Sequence, residues 1–202
     1  MTDRVTVRVF PYRSDAEIAR ARLAADGIRS MVFVDDEGGL NPGFYTNYGV
    51  RLVVAGADIE DALTSLGIER FSIERPAVEA IVWHARGAFP LEACGLVLFD
   101  GVHPVFVCPL TNQDASERRF TIDPSEHHGA WRFAEANGWV VGGIFHSHPH
   151  SDAYPSDSDV SGGSDPDWIH IIVGPVAGNR TTLRAFRIVE GAVSELTVAI
   201  RE

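Results

Sequence analysis

Residues 146–159 contain His146-Ser147-His148-Pro149 and, after a short loop, Pro155-Ser156-Asp157-Ser158-Asp159. Two histidines two apart, followed by a serine and an aspartate, are the components of a mononuclear zinc hydrolase. Zinc takes imidazole nitrogen and carboxylate oxygen, and a catalytic site keeps three protein ligands with one position open to water. His146, His148 and Asp159 would supply those three. Side chains two apart on an extended backbone point to the same side, so both imidazoles can converge on one ion without bending the chain. Each piece also has a plainer reading. An isolated His-Xaa-His can be two polar residues closing a strand. Ser156 to Asp159 is also a helix-start capping pattern. The residues that would continue that helix, Val160-Ser161-Gly162-Gly163, are poor helix formers. A cap could also hold Asp159 in place while its carboxylate binds metal.

Three ligands do not make an enzyme, because a base must still take a proton from water and pass it to the leaving amine. Glu92 is the candidate, in Pro90-Leu91-Glu92-Ala93-Cys94-Gly95 ahead of an apolar run. Its position alone reads as a solvated glutamate at a strand entrance. Cys94 reads as a small buried residue rather than a nucleophile, since no histidine is local. His150 reads as a solvated loop residue, and His127 and His128 as surface positions on a helix. His84 and His170 have no evident partner. Asp152, Asp157, Asp165 and Asp167 make the loop region acidic.

These residues need elements to position them. The chain divides near residues 70–76. In the first part Val5–Phe10 alternates like a strand. Ser14 is placed to cap a helix that Gly27 stops. Residues 28–34 and 50–54 read as strands, 36–48 as a Gly/Asn-rich loop, 58–66 as a helix and 68–73 as a fourth strand. The order βαββαβ predicts a ferredoxin-like sandwich over residues 1–74. In the second part, residues 75–202, a helix is expected over 77–87 with Pro76 in its first turn. Strands are expected at 94–99 and 105–110 around Asp100-Gly101, at Phe120, at 140–146, at 168–173, and at 182–188 and 192–199 around Glu190-Gly191. A helix is expected over 124–137. The chain is thus of α+β or α/β class, with a mixed sheet flanked by helices in its second part.

Taken together, Pro-Xaa-Glu-Xaa-Cys-Gly, His-Ser-His-Pro and, seven residues on, Pro-Ser-Xaa-Xaa-Asp resemble the JAMM (MPN-type) metalloproteases over roughly residues 76–200. Arg119-Phe120 before a helix with Trp131-Arg132, Asp152-Ala153-Tyr154-Pro155, and the hairpin at 186–193 are similar to the bacterial JAMM peptidases that act on sulfur-carrier proteins. The resemblance implies a cytidine deaminase-like mixed sheet. It implies Zn2+ held by His146, His148 and Asp159, with Glu92 as proton acceptor and donor and the Ser156 hydroxyl stabilising the oxyanion. It also implies a ubiquitin-like sulfur carrier as substrate, cut after its Gly-Gly tail, with release of cysteine in some members. An isopeptidase that frees a small modifier from lysine is the alternative within the same chemistry. A binding or sensing protein with a vestigial site is the alternative outside it. The first part resembles a family of small bacterial domains assigned to signal transduction, which suggests docking or regulation and names no chemistry.

Composition narrows the partners. The 202 residues suffice to bury a core, with 45% apolar and 22% charged side chains. A net charge of −11 disfavours nucleic acid and anionic lipid, which need a basic face. There is no lysine; the 17 basic residues are all arginine. No apolar run reaches the roughly 18 residues that span a bilayer, and the opening residues lack the apolar core of a signal peptide. Two cysteines make no disulfide framework, so the expected address is a reducing cytoplasm. Oligomeric state leaves no trace in the sequence.

Overall fold

Residues 4–10, 12–34, 50–162, 165–177 and 181–202 are described in the computed structural model of the chain. They fall into two units, residues 1–70 and 71–202. The expected loop at 36–48 lies outside the described residues.

In the first unit, β1 (Arg4–Phe10), α1 (Arg13–Ala25), β2 (Ser30–Val34), β3 (Val50–Ala55) and α2 (Ile59–Ser65) follow one another. The sheet order is β1-β3-β2, antiparallel throughout. Val7, Leu23, Leu52, Val54 and Leu63 form its core. Helix α1 closes as expected: Gly27 takes a left-handed φ of 78°, and the Ile28 N–H reaches back to the Leu23 carbonyl at 2.8 Å. Its start differs from expectation. Tyr12 is the N-cap residue, and Ser14 lies inside the helix, donating to Asp15.

The ferredoxin-like βαββαβ reading needs correction. Among the described residues the unit has three strands, because β4 (Arg70–Glu74) joins the second sheet beside the last strand of the chain. The physical reason lies in its alternating apolar residues. Phe71 and Ile73 are buried in the core of the second unit with Ile81 and Ala85 of the helix that begins at once after them. The units therefore divide at 70/71 rather than at the expected 74/75.

The second unit continues with α3 (Arg75–Ala88), β5 (Cys94–Phe99), β6 (Pro104–Leu110), α4 (Pro124–Ala136), β7 (Val140–Ser147), α5 (Asp157–Ser161), β8 (Ile169–Gly174), β9 (Thr182–Val189) and β10 (Ala192–Arg201). Its seven strands are ordered β4-β10-β9-β8-β7-β5-β6. The β7–β8 pair is parallel, whereas β5–β6, β5–β7, β8–β9 and β9–β10 are antiparallel. This is a mixed α+β architecture. Period-two alternation along β5 sends Val97 and Phe99 into the core shared with α3, and Leu96 and Leu98 into the core shared with α4. A strand buried on both faces must read as a continuous apolar run, and this one does. The expected strand at Phe120 is absent. A single bridge between Asn112 and Ile122 stands there instead. No described helix is long and apolar enough to cross a membrane.

At Gly95 the neighbours of β5 leave no room for a side chain. A Cβ there would overlap both the Phe145 ring and the Cys108 carbonyl oxygen, and the carbonyl cannot move without breaking the ladder. Gly95→Ala is expected to destabilise the second unit by about 1–3 kcal/mol, the usual cost of overpacking a dense core. The urea unfolding midpoint measures this; an unshifted midpoint would refute the close packing.

Candidate metal centre

The end of β7 sets the histidine geometry. Ile144 faces the α4 side of the sheet and Phe145 the α3 core, so alternation turns His146 to the α4 side. Beyond the strand, β8 continues to hold the chain. The His148 N–H donates to the Val173 carbonyl at 2.8 Å, and the Val176 N–H donates back to the His148 carbonyl at 3.2 Å. The approach is tight enough that a Cβ on Gly174 would lie 2.6 Å from the Ser151 carbonyl oxygen and 3.0 Å from the His148 Cβ.

The two Nε2 atoms lie 3.1 Å apart, and Asp159 Oδ2 lies 3.3 Å from one and 3.5 Å from the other. Tetrahedral zinc with bonds of about 2.0–2.1 Å spaces its ligand atoms about 3.3 Å apart. The trio fits a shared cation. The His148 Nδ1–H donates to the Asp152 carbonyl at 2.8 Å, a group that can only accept, which leaves a lone pair on Nε2. Two acceptor nitrogens so close repel unless a proton or cation lies between them. His146 Nδ1 is buried without a partner among the described residues. Its ring is held instead by Phe120, stacked at 4.7 Å between centroids and 26° between planes.

Asp159 arrives on α5, and the helix start and the convergence use the same atom. Ser156 is the N-cap of a complete capping box. Its N–H and its hydroxyl each donate to Asp159 Oδ2 at 2.7 Å, and its Oγ accepts from the Asp159 N–H at 3.3 Å. The cap thus aims the oxygen that meets the imidazoles. Burial penalises the Asp159 charge, yet its hydrogen bonds to both histidines outweigh this and hold the carboxyl well below the ordinary carboxylate range. Burial pushes His146 down. Burial also disfavours charge on His148, but Asp159 and the Asp152 carbonyl prevail and raise it.

Glu92 is placed by strand register. Cys94 faces His146 and Gly95 faces Phe145 across β5–β7. Past the strand end, the Ser147 N–H donates to the Ala93 carbonyl at 3.0 Å, and the Ala93 N–H donates to Ser147 Oγ at 2.9 Å. One further step sets Glu92 opposite His148. Glu92 is 5% exposed, so it is not the solvated glutamate of the plainer reading. Burial, with a smaller contribution from the Asp159 charge, pushes its carboxyl up to about 7 despite the pull of His148. A carboxyl poised there can both accept and donate a proton near neutrality.

Several side chains fall into place around this group. His170, which the sequence left without a partner, lines the same pocket as His146 and Asp159, and burial presses its pKa down to about 4. Its position on β8 beside Ile144 is the signal that a parallel strand pair would have supplied. The contacts of Phe120, Ser147 and the Asp152 carbonyl were not legible from residue type; they act through ring stacking, a hydroxyl that accepts from the Ala93 N–H, and a main-chain acceptor. Burial pushes the Cys94 thiol up to about 12, which leaves it a packing residue. His150 pairs with Glu117 at 3.5 Å, and His127 accepts from the Trp131 indole at 3.1 Å.

A mixed sheet that brings two histidines and a capped aspartate together beside a buried glutamate defines a hydrolase of the JAMM class. The family model Prok-JAB, prokaryotic homologs of the JAB domain, matches residues 74–189, and the chain belongs to that family. A CysO-cysteine peptidase from Mycobacterium tuberculosis is 36% identical over 132 residues, covering 64% of this chain and 90% of the relative. A desampylase from Haloferax volcanii is 32% identical over 113 residues, covering 52% and 81%. The solution structure of protein DSY2949 from Desulfitobacterium hafniense matches with a TM-score of 0.60 at 34% identity, covering 65% of this chain and 93% of that one.

The raised Glu92 has a consequence for stability in protein stripped of metal. A glutamate free in the unfolded chain ionises near 4.5, whereas the folded one holds its proton to about 7. Between those values the folded state carries the extra proton, so stability falls as pH rises and levels off above about 7. Glu92→Gln removes that loss. In chelator-treated protein the variant should exceed the parent by ~3 kcal/mol at pH 8, a gap that closes towards pH 4. Denaturant titrations at the two pH values test it; a gap independent of pH would contradict the buried, elevated carboxyl.

Proposed function

We propose that the protein is a zinc-dependent peptidase that hydrolyses the amide bond after the Gly-Gly terminus of a ubiquitin-like sulfur carrier, releasing cysteine. The observation that carries this reading is the 36% identity with a CysO-cysteine peptidase across nine-tenths of that relative's length. The three donors at His146, His148 and Asp159 support it, since their spacing suits the ion. Zinc bound there would polarise the scissile carbonyl and bring the pKa of water towards neutrality.

In this reading the remaining work falls to side chains of the chain itself. Glu92 takes a proton from the attacking water and delivers it to the departing nitrogen, which leaves as a neutral amine. Burial keeps its carboxyl in the range where both transfers are easy. The Ser156 hydroxyl, bonded to Asp159 at rest, turns to donate to the oxyanion. One such donor contributes a factor of roughly 10²–10³ in rate. Phe120 over His146 and the Asp152 carbonyl at His148 hold the imidazole planes, which limits reorganisation during the reaction. A thin, extended tail can lie along a strand edge to reach such a site. The likeness to a desampylase favours a second reading, in which the same residues cut an isopeptide bond to lysine. The first unit, residues 1–70, is assigned a substrate- or partner-docking role.

Incubation with a carrier–cysteine amide and with a carrier–lysine isopeptide separates the two readings. Release of cysteine, abolished by a chelator and restored by zinc, is the expected result; no cleavage of either would reject both. Glu92→Gln should retain zinc while turnover falls by roughly 10²–10⁴, the usual contribution of a general acid–base. His148→Ala should lose the ion, and elemental analysis that finds it still bound would show that His148 is not a ligand.

A further inference from the structure

The segment from Thr111 to Ile122 wraps the site, and one side chain ties it down. The Asn112 amide donates to the Glu92 carbonyl at 3.0 Å and to the Arg119 carbonyl at 3.1 Å. Its Oδ1 accepts from the Asp114 and Thr121 N–H groups at 3.1 and 3.2 Å. The Glu92 N–H donates to the Ser116 carbonyl at 2.8 Å. The stretch that carries Arg119 and Phe120 is therefore fixed to the main chain of the proton-handling carboxylate.

Beside the donor trio lies a pocket of about 160 Å³, lined by Arg119, Phe120, Ile144, His146, Asp159 and His170 among others. It is smaller than the roughly 300–1,000 Å³ of drug-sized ligand sites, and suits a single small residue. Among its described lining residues Arg119 is the one permanent cation. The side chain is 71% exposed, and its ion pair among the described residues is with Asp114 at 3.6 Å, too long for a hydrogen bond. The Asp114 oxygen concerned already accepts from the Thr121 hydroxyl at 2.9 Å. A planar fork of five N–H donors is thus left with one loose contact, at the mouth of a pocket that adjoins the donor trio.

The direction of the reaction says which part of the substrate belongs there. Glu92 hands its proton to the departing nitrogen, and Asn112 ties the main chain of Glu92 to that of Arg119, which keeps the Arg119 side chain, at a pocket lined by two of the three donors, near the group that leaves. We propose that Arg119 binds the α-carboxylate of the amino acid that leaves. The site then favours a leaving group that ends in a free carboxylate, a single amino acid, over a residue inside a polypeptide or a lysine side chain. The proposal rests on the peptidase reading above and names the feature of the leaving group that is recognised.

The test compares two adducts of a ubiquitin-like carrier ending in Gly-Gly, one joined to cysteine and one to cysteinamide, which differ only in a carboxylate replaced by a neutral amide. The unsubstituted enzyme should favour the acid by about ten- to hundredfold in kcat/KM, the effect of one charge-assisted contact, expressed mainly in KM. In Arg119→Gln that preference should fall to about one, and Arg119→Lys should keep part of it, since it retains the charge without the fork. Equal losses on both adducts, or indifference of the unsubstituted enzyme to the carboxylate, would overturn the assignment of Arg119. Failure of the unsubstituted enzyme to cleave either adduct would be a different result: it rejects the peptidase reading, and the proposal falls with it.

Discussion

The register between β5 and β7 is the constraint from which the site follows. With Cys94 set against His146, Glu92 and His148 come to the same end of the sheet from strands that run in opposite directions. A one-residue slip would turn every β5 side chain to the other face of the sheet. Such a slip would bury Leu96 and Leu98 where Val97 and Phe99 belong, against a different helix. The packing of two apolar layers therefore fixes, at a distance, the relation of a carboxylate to an imidazole. Ser147 completes the lock, exchanging hydrogen bonds with Ala93 where the strand pair ends.

The loops obey the same economy, with single groups in two structural roles. Asp159 Oδ2 is both the acceptor of the cap and the oxygen that meets the histidines. The Asp152 carbonyl accepts from His148 Nδ1 and also from the Tyr154 N–H at 2.8 Å, so the loop between the two histidines and the aspartate orients a ring as it turns. Gly174 contributes by what it lacks, since any side chain there would push the His148 loop off β8.

The proximity of His146, His148 and Asp159 was legible because period two and a capping pattern are local rules. The burial of Glu92 was not: residue type and position read as solvated, and the segment bonded to its main chain, through Asn112 and Ser116, is distant in sequence. The placement of His170 and Phe120 beside His146 was not legible for the same reason, since that residue lies 24 and 26 positions away in sequence. Most strands and helices of the second unit stand within a residue or two of where turn residues and apolar runs put them. The exception at β4 is instructive. Its alternation is real, but alternation says that a strand has a buried face and not which sheet buries it. Phe71 and Ile73 found theirs against Ile81 and Ala85, so the strand expected to close the first unit belongs to the second sheet.

Helix α5 is five residues long. A segment so short has no stability of its own in water, where even alanine-rich helices need about 12–15 residues to persist. It is ordered by its serine cap, worth ~1 kcal/mol, and by the contacts of the Asp159 carboxylate with His146 and His148. The same carboxylate oxygen that closes the cap lies 3.3 and 3.5 Å from the two imidazoles, so the turn and the donor trio stand or fall together.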